Sequence, residues 1–491
     1  MPARFPRLAQ TAICAALCAT LLAGCVSMAP DYQRPQAPVP AGFRDAPATG
    51  AASDTSAVAD LPWRQVFVDA RLQQVIALAL DNNRDLRVAL LNIEKARAQY
   101  RIQRADLLPT VTAGLGQSVS RGSSASSAGS TISRSHTAEV GFSSWELDLF
   151  GRIRSLKDEA LETWLATAQT QRSTRLSLVA EVAGDWLTVA AYRQRLALAQ
   201  QTLASQRETL RLTEYRHAQG VLSGVDLASV QTSVESARSD VASYDTQLAQ
   251  ARNALELVVG ASVPDALLPA LHIPDEAANE AVALAPLPAG LSSSVLLQRP
   301  DVRYAEHALK AANADIGAAR AAFFPTISLT ASTGRGSDQL SNLFEAGNRS
   351  WSFAPSISIP IFNAGALKAQ LDAAEIGKNI YVAEYEHAIQ TAFSEVTDAL
   401  AERARMDERL DAQRALVNAA TRAHTLAEAR YRNGVDSYLE ALTAQRTLYS
   451  AQQDLITLRL AEASNRAMLY KVLGGGADAD SDPGTAASVG G

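Results

Sequence analysis

The chain contains one unit twice. Asn83-Arg84-Asp85-Leu86-Arg87 resembles Arg299-Pro300-Asp301-Val302-Arg303, and Leu107-Leu108-Pro109-Thr110-Val111 resembles Phe323-Phe324-Pro325-Thr326-Ile327, each pair 216 residues apart. Tyr215-Arg216 matches Tyr431-Arg432 at the same offset, Phe150-Gly151 matches Phe362-Asn363 at 212, and Gly220-Val221 matches Gly434-Val435 at 214. Five matches in one order establish a tandem duplication, so the fold must be built from two near-equivalent halves.

Within each copy the apolar period changes in the same sequence. Asp85 to Ala105 reads as a helix that Pro109 stops, because proline lacks the amide and clashes with the preceding turn. The period then becomes two: Val111, Ala113, Leu115 and Val119 alternate with Thr, Gly and Ser, and after a Ser/Gly-rich loop Ala138, Val140 and Phe142 do the same. Parity shifts to Trp145, Leu147 and Leu149, which predicts a bulge near Ser143-Ser144. The second copy repeats the hairpin, with Ile327, Leu329 and Ala331, then Trp351, Phe353, Ile357, Ile359 and Ile361. These are four strands of roughly 9–11 residues, the length that crosses a bilayer when tilted. Any one strand alone would equally suit a half-buried sheet of a soluble protein. Four strands cannot close a barrel, and hydrocarbon tolerates no open edge, so membrane strands here require several chains to share one barrel. Three chains would give twelve strands.

Each hairpin is followed by a long helical stretch. Val189, Leu196, Leu203 and Leu210 recur at sevens; after a break at Gly220 to Gly224, Leu227, Val234, Val241, Leu248 and Leu255 occupy one heptad position and Val230, Ala237, Tyr244, Ala251 and Val258 another. That pattern is a coiled-coil seam, echoed by Leu442, Tyr449, Ile456, Ala463 and Tyr470. A helix of about 65 residues would run roughly 100 Å. The expected division is a signal peptide over 1–24, a tether over 25–62, and a first copy over 63–260 with its hairpin at 110–149 and long helices at 151–260. A proline-rich connector at 261–298 leads to a second copy over 299–473, with its hairpin at 326–361 and long helices at 364–473; a disordered tail follows at 474–491.

The N-terminus carries Arg4 and Arg7 ahead of an apolar stretch too short to span a membrane well, the pattern of a secretory signal. Leu22-Ala23-Gly24-Cys25 looks like a bacterial lipobox, with Cys25 taking a diacylglycerol thioether and an N-acyl chain. Val26 in place of Asp, by resemblance to bacterial lipoproteins, favours the outer membrane. Cys14 and Cys18 leave with the signal, so the mature chain offers no thiol for a disulfide, zinc site or nucleophile. Aromatic residues are only 6% against 47% hydrophobic, the texture of long helices packed on one another. The net charge of −6 comes from interspersed signs with no basic patch, which excludes nucleic acid as a partner.

Together these features resemble the outer membrane factor family of TolC-like channels, in particular its NodT-type efflux lipoproteins. Pro30-Asp31-Tyr32-Gln33-Arg34-Pro35 looks like that branch's post-lipobox motif, Trp63 and Asn82 to Leu86 fit its first helices, and Leu297-Gln298-Arg299-Pro300-Asp301-Val302-Arg303 looks like the family's Arg-Pro-Asp signature. The likeness covers Pro30 to about Gly474. It implies an α+β membrane protein: a homotrimer with a twelve-stranded outer-membrane β-barrel, four strands per chain, continued by a periplasmic α-helical coiled-coil barrel with an equatorial domain. It also implies the exit duct of a tripartite efflux pump, anchored in outer-membrane lipid and joined through a periplasmic membrane-fusion adaptor to an inner-membrane transporter of the RND type. The turns Gly220, Val221, Leu222, Ser223 and Gly434, Val435, Ser437 match the tips that meet the adaptor. Asp226 and Tyr431 fall where the family links neighbouring hairpins, and Glu440 falls on an acidic ring. Thr443 stands where a second acid is common and Asp436 where a linking arginine is, so one acidic layer is either missing or supplied by Asp436. Asp226, Asp436 and Glu440 are thus expected to restrict a closed mouth by mutual repulsion, with the second copy the better gate.

An enzyme is not expected. The six histidines are scattered, and only His424 and Glu428 stand four apart, which a surface helical pair explains better than a metal site. No phosphate loop, dinucleotide fingerprint or nucleophile motif occurs in a convincing context. The rival readings are a periplasmic adaptor or a structural coiled-coil lipoprotein of the envelope, neither of which calls for four bilayer-length strands and a duplication.

Overall fold

A computed structural model of the protein describes residues 27–43, 62–123, 130–270 and 291–475. Cys25 and the expected signal segment lie outside the described residues, as do 44–61 of the expected tether, 271–290 of the expected connector and the expected tail from 476. In chain order the elements are α1 (Trp63–Val66), α2 (Ala70–Asn82), α3 (Arg84–Ala105), β1 (Thr112–Ser123), β2 (Ser130–Glu146), α4 (Arg152–Ala218) and α5 (Gly224–Val259), then α6 (Pro300–Ala321), β3 (Thr326–Ser337), β4 (Arg349–Ser358), α7 (Ala366–Arg432) and α8 (Tyr438–Val472). Short 3₁₀ turns at Asp265–Leu267 and Ser293–Gln298 stand at the two ends of the connector.

The duplication is explicit in the backbone. Both α4 and α7 contain 67 residues. Left-handed glycines recur in pairs 214 residues apart: Gly151 and Gly365, Gly220 and Gly434, Gly260 and Gly474. This spacing corrects one reading. The equivalent of Arg216 is Arg430 and that of His217 is Tyr431, so the Tyr-Arg match at 216 is out of step by two residues.

The chain divides into two compact units. The first, made of residues 1–36, 92–167 and 304–385, holds the sheet. Its strands run in the order β1-β2-β3-β4, each antiparallel to the next, so the hairpins of the two copies join through β2 and β3. The predicted bulge is present: the register shifts between Phe142 and Trp145, and Ser144 takes a positive φ of 54°. It lets β2 continue to 17 residues, longer than expected. β4 stops at Ser358, short of the expected Ile361, where its partner β3 has its first residue, Thr326. Where β2 turns into α4, Arg152 grips Glu146 through two bonds of 2.9 and 2.6 Å, and Phe150 stacks on Phe324 at 4.8 Å.

The second unit, residues 37–91, 168–303 and 386–491, holds the main core. Asp69 caps α2 by accepting from the amides of Arg71 and Leu72, so that Leu72, Val75, Ile76 and Ala79 face inward. They pack with Val179, Val182, Ala183 and Trp186 of α4, Leu255 and Val259 of α5, and Ala467 and Tyr470 of α8. Each large side chain fully buried there contributes about 1.5–3 kcal/mol, and the Trp186 indole donates to the Leu267 carbonyl at 3.0 Å, so its burial leaves no polar atom stranded. The predicted seam forms further along, where Val234 and Ala237 pack against Leu203.

Candidate functional site

The sheet has two chemically different faces. Register places Ala113, Leu115 and Val119 of β1, Ala138, Val140 and Phe142 of β2, Ile327, Leu329 and Ala331 of β3, and Trp351, Phe353 and Ile357 of β4 on one side. The other side carries Thr112, Gly114, Gly116 and Ser118, then Thr137, Ser328, Thr330, Ser332, Ser352 and Ser356. The apolar side is open: Leu115 is 81% and Trp351 76% exposed. Among the described residues β1 and β4 each pair on one edge only. No helix among the described residues is long and apolar enough to cross a membrane. An open apolar sheet with two unpaired edges can be stable only where other copies complete the ladder and lipid covers the face.

In the same unit residues 27–36 lie along α6. Arg34 holds Glu306 with both carboxylate oxygens at 2.9 Å, Lys310 approaches Glu306 at 3.1 Å, and Asn313 donates to the Pro30 carbonyl at 2.7 Å. A Cβ on Gly317 would stand 2.7 Å from the Ala29 amide nitrogen, so the close approach needs glycine. The segment therefore runs antiparallel to α6, its N-terminal end toward the start of β3. Burial works against the Glu306 charge, but Arg34 and Lys310 outweigh it and hold the carboxyl below the usual range.

The helical tips lie in the second unit and are built alike. At Gly220 the helix ends left-handed, with Gly220 and Val221 donating to the carbonyls of His217 and Arg216; Gly434 and Val435 make the same bonds to Tyr431 and Arg430. Val221 and Val435 are exposed, as are Val225 and Leu439 one turn on, so each tip presents an apolar pair at equivalent positions. Behind them Val230, Tyr438 and Leu442 are buried with Leu210 and Tyr431. Tyr438 donates to Gln206 at 3.1 Å and meets Tyr431 edge-on at 5.3 Å. Burial, with Tyr431 alongside, raises the Tyr438 phenol to about 12.

The structure arranges the expected gate residues unequally. Asp226 and Glu440 are equivalent, each the third residue of its helix. Ser223 caps α5, accepting from the Asp226 amide at 3.2 Å and donating to its carboxylate at 2.8 Å. Ser437 makes no side-chain cap, and Glu440 is exposed. Asp436 is not an isolated acid: Arg430 binds both its oxygens, one at 2.9 Å, and that bond lowers its pKa. Arg430 was not anticipated; its only sequence signal is its place six residues before Asp436 across a glycine turn. Leu222 is half-buried and its carbonyl meets His217 Nδ1 at 2.8 Å, while the side chain of Thr443 donates to the Leu439 carbonyl. Glu428 pairs with Arg432, four residues on. Among the described residues no group of acids, histidines or cysteines is arranged to hold a metal.

A sequence model of the family described as outer membrane efflux protein matches residues 75–261 and 291–475, one match on each copy of the repeat. The chain belongs to that family. It is 48% identical over 464 residues to the probable efflux pump outer membrane protein TtgC of Pseudomonas putida, with 94% of each chain covered. It is 43% identical to the outer membrane protein OprJ of Pseudomonas aeruginosa, covering 94% of this chain and 95% of that one. Among solved structures, the open state of the Neisseria gonorrhoeae MtrE outer membrane channel matches with a TM-score of 0.83 at 40% identity, over 93% of this chain and 99% of that one. This efflux protein is accordingly an outer-membrane channel with a large periplasmic helical part, and its fold class is the one expected from the sequence. The adaptor and structural-lipoprotein readings are set aside.

Proposed function

We propose that this protein is the passive exit duct of a tripartite pump, working as a homotrimer. The observation that carries the reading is the four-stranded sheet, apolar on one face and open at both edges. In a trimer β4 of each copy pairs with β1 of the next, which removes every edge and gives twelve strands. The Ser, Thr and Gly face then lines the pore and performs no catalysis; it conducts what the transporter delivers.

The paired tips supply the second contact. Val221 and Val225, with Val435 and Leu439, form two matching apolar patches that suit docking of helical hairpins from a periplasmic adaptor, itself bound to an inner-membrane transporter of the RND type. Cys25 carries the lipid, and the segment after it, held by Arg34 on Glu306 of α6, runs with its N-terminal end toward the start of β3. Asp226, Glu440 and the Tyr431–Tyr438 contact, with the Arg430–Asp436 pair, form the mouth.

The test is site-specific cross-linking in cells. The mature chain has no competing thiol, so single cysteines at Val221 or Val435 should cross-link to the adaptor, and cysteines at Thr112 and Ser358 should cross-link copies of the chain. Adaptor capture from Leu90 but not from the tips would overturn the docking assignment.

A further inference from the structure

The charged residues of the strands are sorted by face. Arg121 on β1, Arg134 and His136 on β2, Arg335 on β3 and Arg349 on β4 share the apolar side, whereas Glu139 and Glu146 lie on the opposite side. All five basic residues stand toward the loop end of the sheet, away from α3, α4, α6 and α7. That end faces the outer leaflet, since the helical part is periplasmic. Among the described strand residues the acids, Glu139 and Glu146, both lie on the opposite face, and Asp338 and Glu345 stand in the β3–β4 loop.

Arg335 and Arg349 are direct cross-strand partners. Like charges set opposite one another on a ladder are destabilising. Arg335 is held in place by donating to the carbonyls of Phe344 and Glu345, while Arg349 and Arg134 are exposed. One guanidinium fixed at Arg335 and a second, exposed one at Arg349, both above an apolar band, suit one kind of counter-anion, a phosphate whose carrier also has acyl chains to cover Trp351, Phe353 and Leu115.

We propose that the loop end of this outward face is a docking surface for phosphate-bearing lipid headgroups of the outer leaflet, with Arg134, Arg335 and Arg349 as the phosphate ligands. The lipid closes the repulsion between Arg335 and Arg349, and every copy of the chain brings an arginine on each of its four strands.

The test uses full-length protein in neutral detergent micelles doped with bisphosphorylated lipid A, or with the same glycolipid stripped of both phosphates, with bound lipid counted by native mass spectrometry. The parent protein should retain the phosphorylated form and not the stripped one. R134Q/R349Q should lower retention by roughly five-fold per arginine removed, while R134K/R349K should keep most of it and Arg405→Gln, on α7, should change nothing. The same spectra report assembly; if the double variant fails to assemble, R349Q alone carries the comparison. Equal retention of both glycolipids, unchanged retention in the glutamine variants, or full competition by inorganic phosphate would each overturn the proposal.

Discussion

Arg299 donates from Nη1 to the carbonyl of Val472 at 2.8 Å, fastening the start of the second copy to the last turn of its final helix. Asn83 makes the equivalent bond in the first copy, from Nδ2 to the Val258 carbonyl at 2.7 Å. The Arg299 side chain is only 8% exposed and meets Asp301 and Glu395, both at 2.6 Å. Burial works against its charge, but those two carboxylates outweigh burial and raise its pKa. Arg299→Met leaves the Val472 carbonyl without its donor and removes both ion pairs, and should cost about 2–3 kcal/mol, against about 1–2 kcal/mol for Asn83→Ala. Denaturant unfolding of the purified protein checks this; equal losses would mean that the ion pairs add nothing net.

Much of this architecture is legible because local chemistry carries it. Pro109 and Pro325 stop helices, period two marks the strands, and the parity change at Ser143-Ser144 gives the bulge. Glycine at 220 and 434 marks turns that other residues resist. What escaped notice depends on distance or on register. Arg34 and Glu306 are 272 positions apart, and no periodicity joins them. The 214 offset of Gly220 and Gly434 relates Asp226 to Glu440, but the Tyr-Arg match at 216 obscured it, and Asp436 read as a free acid because Arg430 lies on the other side of the turn. The cationic band is visible only once register assigns each strand residue to a face.

The clasp on α6 should loosen in acid. The Glu306 carboxyl is held below its ordinary range by Arg34 and Lys310 against the effect of burial. The stabilisation is therefore present above the ordinary carboxylate pKa and is lost as pH falls through the depressed value. Limited proteolysis at residues 27–36 should accelerate only well below the ordinary carboxylate range in the parent protein. In Glu306→Gln it should be fast at neutral pH and insensitive to acid. A pH-independent parent would refute the clasp.

Two left-handed glycines should respond differently to alanine. Gly220, with φ of 74°, has open space around its missing Cβ, so Gly220→Ala carries only the backbone strain of about 1–2 kcal/mol. At Gly260 the same strain is joined by a clash, because a Cβ would stand 2.6 Å from the Asn82 carbonyl oxygen. Gly260→Ala should lower the unfolding temperature clearly more than Gly220→Ala. Similar shifts would show that the α2–α3 junction yields freely.

The proposed mouth gives the sharpest test, since its acids are not equivalent in their partners. Asp436 is neutralised by Arg430 within one tip, whereas Asp226 and Glu440 occupy matching places in the first turns of α5 and α8. Uncompensated carboxylates at a constriction favour cations. Removing Asp226 and Glu440 together as D226A/E440A should raise closed-state conductance in planar bilayers and weaken cation preference. R430A/D436A removes a cation and an anion together, so selectivity should stay near that of the parent. Asp436→Ala alone leaves Arg430 uncompensated and should shift selectivity toward anions without opening the mouth. If D226A/E440A behaves as the parent while R430A/D436A opens the channel, the constriction is the intra-tip ion pair and the acid ring is not the gate.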